Sequence, residues 1–395
     1  MRGTGSPWEI EASDLGRWRL IEEFSRRLQS VSGRRGVAGS FADRRRELEL
    51  GDYLGLFLFG LLNPVVRTMR GLCACSHLER VQREVCQRPV SLGSFSEAQQ
   101  VLDPALLQEV FAELAQEVGQ RSTPEEAAKG RLPWMIIDST LWEVVPRMRW
   151  ALWRHQGCKQ NAVRLHLGLH VVDDKPLKAE VTTGRVCERE AWRRGWQSGD
   201  AYVGDRNFGE NYQFFGQMEK QGCSFVLRLR DQAIMEIEEE LALEPADREA
   251  RVLRQAWAYL GCKSRYRSVR VRLVWVQTPK EVLLLVTNLP PEQMSAALVA
   301  QLYRQRWQVE LFFRWIKCIL GCRHWLAESP KGVAIQIYPA LIASLLLQLH
   351  SRRRPSRRMF ELIQFHLMGM VSTEELETAL KRELLKFEEA KNKNR

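Results

Sequence analysis

The chain has 395 residues, 45% of them hydrophobic, and a formal net charge of +11. That length implies two or three domains with ample chain for a core, and the Arg-rich balance suits a phosphate-bearing partner. No Gly-x4-Gly-Lys-Ser/Thr loop is present, which argues against ATP use, and the nine Cys fit no zinc-finger spacing, reading instead as reduced cytosolic thiols.

Residues 1–128 read as all-helical and basic. An amphipathic helix is expected near 14–30, ended by a loop at Ser32-Gly33-Arg34-Arg35-Gly36, with another helix beginning near Phe41. The apolar run from Tyr53 to Leu62 is too short to span a bilayer before Asn63-Pro64 and reads as a buried helix. Residues 67–90 have a helix–turn–helix style. Ser94 and Glu97 suggest a capping box, and Asp103-Pro104 caps a helix reaching Val118. An ordinary helical domain and a sequence-specific DNA-binding region are equal readings of this stretch.

After a linker marked by Ser122-Thr123-Pro124 and Gly130, the pattern changes to strands. Trp134-Met135-Ile136-Ile137-Asp138 is an apolar run that delivers a carboxylate at its end. Further strands are expected at Thr140–Val145, Ala162–Val171 and Ala179–Thr183. His166 and His170 share one face of the second of these, a solvated face rather than a metal site, since no third ligand sits nearby. Asp173-Asp174-Lys175-Pro176 reads as a hairpin turn without chemistry. Ala201-Tyr202-Val203-Gly204-Asp205 again ends an apolar strand in Asp, before a helix from Glu210 to Gln221 and a strand from Cys223 to Arg230. Such a meander followed by alternating helix and strand is the plan of a ribonuclease-H-like fold. Residues 231–289 interrupt it. There Glu236–Glu240 reads as an exposed acidic stretch, and Arg265–Gln277 and Val282–Asn288 as strands of a β-rich insertion.

The stretch Leu302–Lys317 holds neither Pro nor Gly and follows Pro290-Pro291-Glu292-Gln293, so it reads as one mostly buried helix. At about 100° per residue, Tyr303, Arg306, Glu310 and Lys317 fall within roughly 60° of its circumference, and the rest is largely apolar, Trp307 included. A structural ion pair between Arg306 and Glu310 is the plain account. Pro339–His350 reads as an apolar core helix with Pro339 in its first turn. Arg352, Arg353, Arg354, Arg357 and Arg358 follow, then two amphipathic helices and a Lys-containing tail.

The spacing Tyr-x2-Arg-x3-Glu-x6-Lys resembles the YREK signature of cut-and-paste DDE transposases of bacterial insertion sequences, and the order of elements is similar from about residue 45 to about residue 380. The resemblance implies that Asp138, Asp205 and Glu310 are the catalytic triad and the ligands of two Mg²⁺ ions, with Mn²⁺ as a substitute. It places Tyr303, Arg306 and Lys317 on phosphates near the cleaved end, and Trp307 beside the terminal nucleotides. Asp205-Arg206 matches the family's second-Asp motif, and Val286-Thr287-Asn288-Leu289 the strand closing the insertion. Asp138-Ser139-Thr140 departs from the Asp-Gly-Ser of close relatives. The position of the aromatic that stacks on a flipped base in better-known relatives is Leu283 here, with Trp275 nearby.

The implied function is that of a DNA transposase. It would bind terminal inverted repeats, cleave the transferred strand with metal-activated water and join the freed 3′-hydroxyl to target DNA. The implied partners are double-stranded DNA at the element ends and the target, with a homodimer in the DNA complex. The location is bacterial cytoplasm, at the nucleoid when bound. A stand-alone metal-dependent nuclease and a non-catalytic DNA-binding protein derived from a transposase are the alternatives. The expected class is α/β. A helical N-terminal DNA-binding region (1–128) precedes a ribonuclease-H-like core in two parts (129–230 and 290–350), which the β-rich insertion (231–289) interrupts. A helical C-terminal dimerisation region (351–395) ends the chain.

Overall fold

A computed structural model describes residues 19–35, 48–120, 132–155, 158–261, 269–318, 325–351 and 354–393. Residues 1–121 and 314–395 group into one compact unit, and residues 122–313 into another.

Among the described residues the first unit begins with six helices: α1 (Arg19–Arg35), α2 (Leu50–Leu62), α3 (Met69–Cys75), α4 (Glu79–Glu84), α5 (Leu92–Val101) and α6 (Ala105–Gln120). Helix α2 is apolar on almost every side, so it is stable only when surrounded by other elements. It is buried from Asp52 to Phe59, and the rings of Tyr53, Phe57 and Phe95 cluster about 5 Å apart between α2 and α5. Asp52, also buried, accepts the Gln87 N–H at 2.9 Å. Helix α1 continues through Ser32-Gly33-Arg34-Arg35, where a loop was expected. Arg34 donates to Ser30 Oγ at 2.9 Å and pairs with Glu113, and these contacts outweigh the cost of one helical Gly. The helix expected from Phe41 begins outside the described residues. The cap of α5 is Ser91, whose hydroxyl accepts the Ser94 N–H, rather than Ser94 itself.

The second unit is built on ten strands: β1 (Trp134–Glu143), β2 (Leu152–His155), β3 (Cys158–His170), β4 (Pro176–Thr183), β5 (Ala201–Gly209), β6 (Ser224–Leu229), β7 (Met235–Leu241), β8 (Val252–Leu260), β9 (Arg270–Gln277) and β10 (Val282–Thr287). Helices α7 (Glu188–Arg194), α8 (Tyr212–Lys220) and α9 (Pro245–Glu249) lie between them in sequence. Helices α10 (Ala296–Arg304) and α11 (Trp307–Cys318) follow. The strands form a single sheet in the order β2-β3-β1-β5-β6-β10-β9-β8-β7, with β4 also on β3. Among the described residues only β1–β5 and β5–β6 are parallel. The segment 231–289 therefore extends the sheet, since β10 returns antiparallel to the far edge of β6. One core packs Phe214, Phe215 and Met218 of α8 against Leu227 of β6, Leu273 of β9, Ala258 of β8 and Val286 of β10.

Four expectations here are corrected. The strands do not stop at the aspartates: β1 runs on to Glu143 and absorbs the strand expected from Thr140, because β3 pairs it along its whole length. His166 is buried rather than solvated, its Nε2 3.0 Å from Thr182 Oγ1, while His170 Nδ1 meets Asp173 at 2.6 Å. The acidic stretch Glu236–Glu240 is exposed at Glu238–Glu240 as expected, but it is part of strand β7, held by β8 and by Glu238–Arg270 and Glu240–Arg254 ion pairs. The expected single helix over 302–317 is two. Gln305 and Arg306 form a tight turn, with Gln305 N bonded to Leu302 O and Arg306 N to Tyr303 O, both at 3.1 Å. These bonds reach back three residues rather than four, the tightened geometry of a helix end.

The C-terminal part of the first unit contains α12 (Pro330–Ser351), α13 (Arg357–Leu367) and α14 (Thr373–Lys393). Pro339 lies in the middle of α12 rather than in a first turn, since the helix starts nine residues earlier. Helix α12 packs on α2, α5 and α6, and Tyr338 faces Phe111. Its Pro330–Leu349 stretch is long and apolar enough to cross a membrane, but it is almost wholly buried here.

Candidate active site

Parallel pairing of β1 with β5 matches Ile136 with Val203 and Ile137 with Gly204, and stops there. Asp138 and Asp205 are the next residues on each strand. Pairing of β5 with β6 also lapses after Gly204 and resumes only at Gly209. The sheet therefore opens at the two aspartates, a position where an open parallel sheet leaves a crevice beyond its strand ends.

Backbone amides hold both carboxylates. Ser139 N–H donates to Asp138 Oδ1 at 2.7 Å, and Asn207 N–H to Asp205 Oδ1 at 2.9 Å. Arg306, in the turn between α10 and α11, then links Asp138 to the third candidate. Its Nη2 donates to Glu310 Oε1 at 2.7 Å, and its Nη1 stands 3.7 Å from Asp138 Oδ2. The i,i+4 ion pair is thus real, but it is one half of a bridge between carboxylates that lie 172 positions apart in sequence.

The electrostatics follow from crowding. Burial, with Glu188 and Asp205 close by, pushes Asp138 up to about 8 against the opposing pull of the Ser139 amide and Arg306. Burial also raises Asp205, against its amide bonds and Arg306. Tyr303 is buried, and desolvation raises its phenol although Arg306 and Arg228 oppose the rise. Trp307, expected among the buried residues, is 51% exposed. Lys317 occupies the last turn of α11, beyond the boundary between the two compact units. Leu283 lines a cavity of about 370 Å³ together with Tyr303, Arg304 and Thr278. Trp275 sits across from Leu284 on β9, with the Arg254 guanidinium 4.6 Å over its ring.

Sequence reasoning missed Glu188. It opens α7, a helix not anticipated between Thr183 and Ala201, and is buried. Ser139 Oγ–H donates to its Oε1, Asn207 Nδ2 donates to its Oε2 at 3.5 Å, and Arg164 stands 3.7 Å away. No spacing rule could have found it, because the partners come from three separate strands.

Residues 130–346 match the family described as "Transposase DDE domain". The chain belongs to that family. The transposase is 26% identical over 252 residues to putative transposase y4zB of Sinorhizobium fredii, a match covering 63% of this chain and 68% of the other. It is 24% identical over 270 residues to the putative transposase for insertion sequence element IS4SA of Synechocystis, covering 66% and 72% respectively. In structure, 95% of the transposase aligns with 82% of piggyBac transposase in a synaptic complex with hairpin DNA, at 12% identity and a TM-score of 0.45. As a DDE transposase it is an enzyme of phosphoryl transfer on DNA, and its family generally uses divalent metal ions.

Carboxylate oxygens are the hard ligands that Mg²⁺ and Mn²⁺ prefer. Among the described residues no three His, Cys, Asp or Glu side chains already stand as a formed metal cage. The donor set still fits a cation: Asp138 and Asp205 follow the last paired residues of neighbouring parallel strands within electrostatic reach of each other, and the Arg306 guanidinium spans Asp138 and Glu310.

Proposed function

We propose that the transposase is of the YREK type and cuts at the terminal inverted repeats of an insertion sequence with Asp138, Asp205 and Glu310 as its catalytic triad. The observation that carries this reading is the Arg306 bridge, which brings Glu310 to Asp138 beside the strand where Asp205 is placed by parallel register. The strand order β4-β3-β1-β5-β6, with the antiparallel pairs β4–β3 and β3–β1 on one side and the parallel pairs β1–β5 and β5–β6 on the other, supports a ribonuclease-H-like core. In that core the three carboxylates would hold two Mg²⁺ ions, or Mn²⁺. Bound there, the ions supply Lewis-acid charge for attack on the scissile phosphate and for the departing oxygen.

The chain's own groups set up the rest. The Ser139 and Asn207 amides fix the aspartate rotamers, so the donor oxygens need little reorganisation. Arg306 holds Glu310 and presents a planar fork suited to a phosphate, with the Tyr303 phenol against it. Exposed Trp307 contacts the terminal nucleotides, and Lys317 a phosphate further along. Cleavage exposes a 3′-hydroxyl that joins target DNA. We assign end binding to the helical region 1–128 and dimerisation in the DNA complex to 351–395. The core comprises 129–230 and 290–350, and 231–289 is the insertion. The place of action is the bacterial cytoplasm, at the nucleoid.

The test is nicking of a plasmid that carries the sequences flanking the gene, in Mg²⁺ or Mn²⁺, by wild type and Glu310→Gln. Metal-dependent nicking at the ends, lost in the variant while end binding persists, is the expected result. End binding without nicking by the wild type would replace this reading with a non-catalytic DNA-binding protein. Nicking without end preference would replace it with a nuclease.

A further inference from the structure

Ser139 and Asn207 have one thing in common: each presents its backbone N–H to one of the paired aspartates. Their side chains also converge. Ser139 Oγ–H donates to Glu188 Oε1, and Asn207 Nδ2 donates to Glu188 Oε2 at 3.5 Å. Glu188 is buried, so it has little water to compensate for a lost partner. Arg164 supplies nearby positive charge, 3.7 Å from Glu188 Oε1, and donates to Ser139 Oγ at 3.2 Å. Arg189, next in sequence to Glu188, donates to the Asn207 carbonyl.

We propose that Glu188 is a positioning residue that yokes Asp138 to Asp205, one carboxylate oxygen restraining the residue that holds each aspartate. This rests on the reading of the two aspartates as catalytic. The sheet gives a reason for such a yoke. Pairing between β1 and β5 ends at Ile137 and Gly204, and β5 is unpaired with β6 from Asp205 to Phe208, so no ladder hydrogen bond sets the spacing of the two carboxylates. A side chain from α7 that reaches both strands substitutes for the missing ladder.

Partners that orient metal-binding carboxylates typically matter by about 10- to 100-fold in metal affinity or activity. The full-length transposase is therefore compared with Glu188→Ala, Glu188→Gln, Ser139→Ala, the Ser139→Ala/Glu188→Ala pair, and Asp138→Asn as reference. Four quantities are read: single-turnover nicking of end DNA, end binding by gel shift, Mn²⁺ binding to the DNA-free protein by electron paramagnetic resonance, and melting temperature. Glu188→Ala is expected to slow nicking and weaken Mn²⁺ binding by about 10- to 100-fold each, with end binding unchanged. Glu188→Gln, which still accepts from Ser139 but presents no second acceptor to Asn207, should lose less and guards against a misfolded Ala variant. The double variant should be no slower than Glu188→Ala, because the Ser139 contact is already gone.

Wild-type nicking and Mn²⁺ binding in Glu188→Ala would overturn the yoke. So would a Ser139→Ala variant with wild-type properties beside a defective Glu188→Ala, which would make Glu188 act directly. If Asp138→Asn nicks normally, the reading of the aspartates fails first and the yoke falls with it.

Discussion

Replacing Asp138 with Asn should stabilise the metal-free transposase, although it removes a proposed catalytic group. The folded chain keeps the Asp138 proton up to about pH 8, because the carboxyl is buried beside Glu188 and Asp205, whereas the ordinary carboxyl releases it near 3.8. Folding thus takes up a proton between those two values, and the wild type loses stability as pH rises through the window. At about 1.36 kcal/mol per pH unit, the penalty at pH 7 reaches roughly 4 kcal/mol. Asn keeps an acceptor for the Ser139 N–H and, like the protonated carboxyl, carries no charge beside Arg306. The expected net gain is roughly 4 kcal/mol at pH 7, or roughly 8–16 °C in melting temperature for a unit of this size. Melting both proteins in EDTA between pH 4 and pH 9 checks this. The variant's advantage should be absent near pH 4, grow with pH, and level off above about pH 8. Adding Mn²⁺ should raise the wild type more than the variant. A variant that melts below the wild type at pH 8 in EDTA, or an advantage that ignores pH, would refute the reasoning.

Arg306→Ala should reduce nicking by about 100-fold while end binding falls far less, since the guanidinium spans Asp138 and Glu310. Equal losses in gel-shift and nicking assays would undercut its place at the reacting phosphate. Arg272 is fully buried, donates to the Met294 carbonyl at 2.6 Å, and among the described residues leaves its Nε and Nη1 without a hydrogen-bond acceptor. Arg272→Met should therefore stay within about 1 kcal/mol of wild type in urea titration, whereas Arg272→Ala, which opens a cavity, should cost about 3 kcal/mol. A Cβ on Gly209 would overlap the Arg228 carbonyl oxygen where β5 rejoins β6. Gly209→Ala should cost about 1–3 kcal/mol and slow nicking through the displaced Asp205 segment, measured by melting and single-turnover assays.

The approach of Asp138 to Asp205 could be read from two apolar runs, Ile136-Ile137 and Val203-Gly204, because neighbouring buried strands need such runs on both sides of a parallel pair. That β1 runs through Asp138 without a break could not. Thr140 to Val145 read as a separate strand, and the two are one only because β3, a partner chosen by tertiary structure, pairs both. The break at Gln305-Arg306 carries no Pro or Gly. Its only trace is the pair of contacts that Arg306 makes once the chain is folded. Glu188 was invisible for a similar reason, since its partners Ser139 and Asn207 converge on it only through the sheet. The exposed acidic stretch Glu236–Glu240 gave no sign of strand β7, because its pairing to β8 leaves three successive glutamates at the surface.

The strand order β6-β10-β9-β8-β7 also sets a mechanical constraint. The chain leaves β6 at Leu229 and enters β7 at Met235, yet four strand spacings separate the two in the sheet. Across a flat sheet that is about 19 Å. Six residue steps span at most about 21 Å when fully drawn out, and this connector is not, since Ala233 N–H folds back to the Arg230 carbonyl. The outer strands must therefore coil round toward α8, whose Phe214 and Phe215 fill the concave side with residues from β8 and β9. Residues 230–234 act as a drawstring. Their length fixes how tightly the insertion wraps its core, so deleting two of them should disrupt β7 and β8 before it disturbs the aspartates.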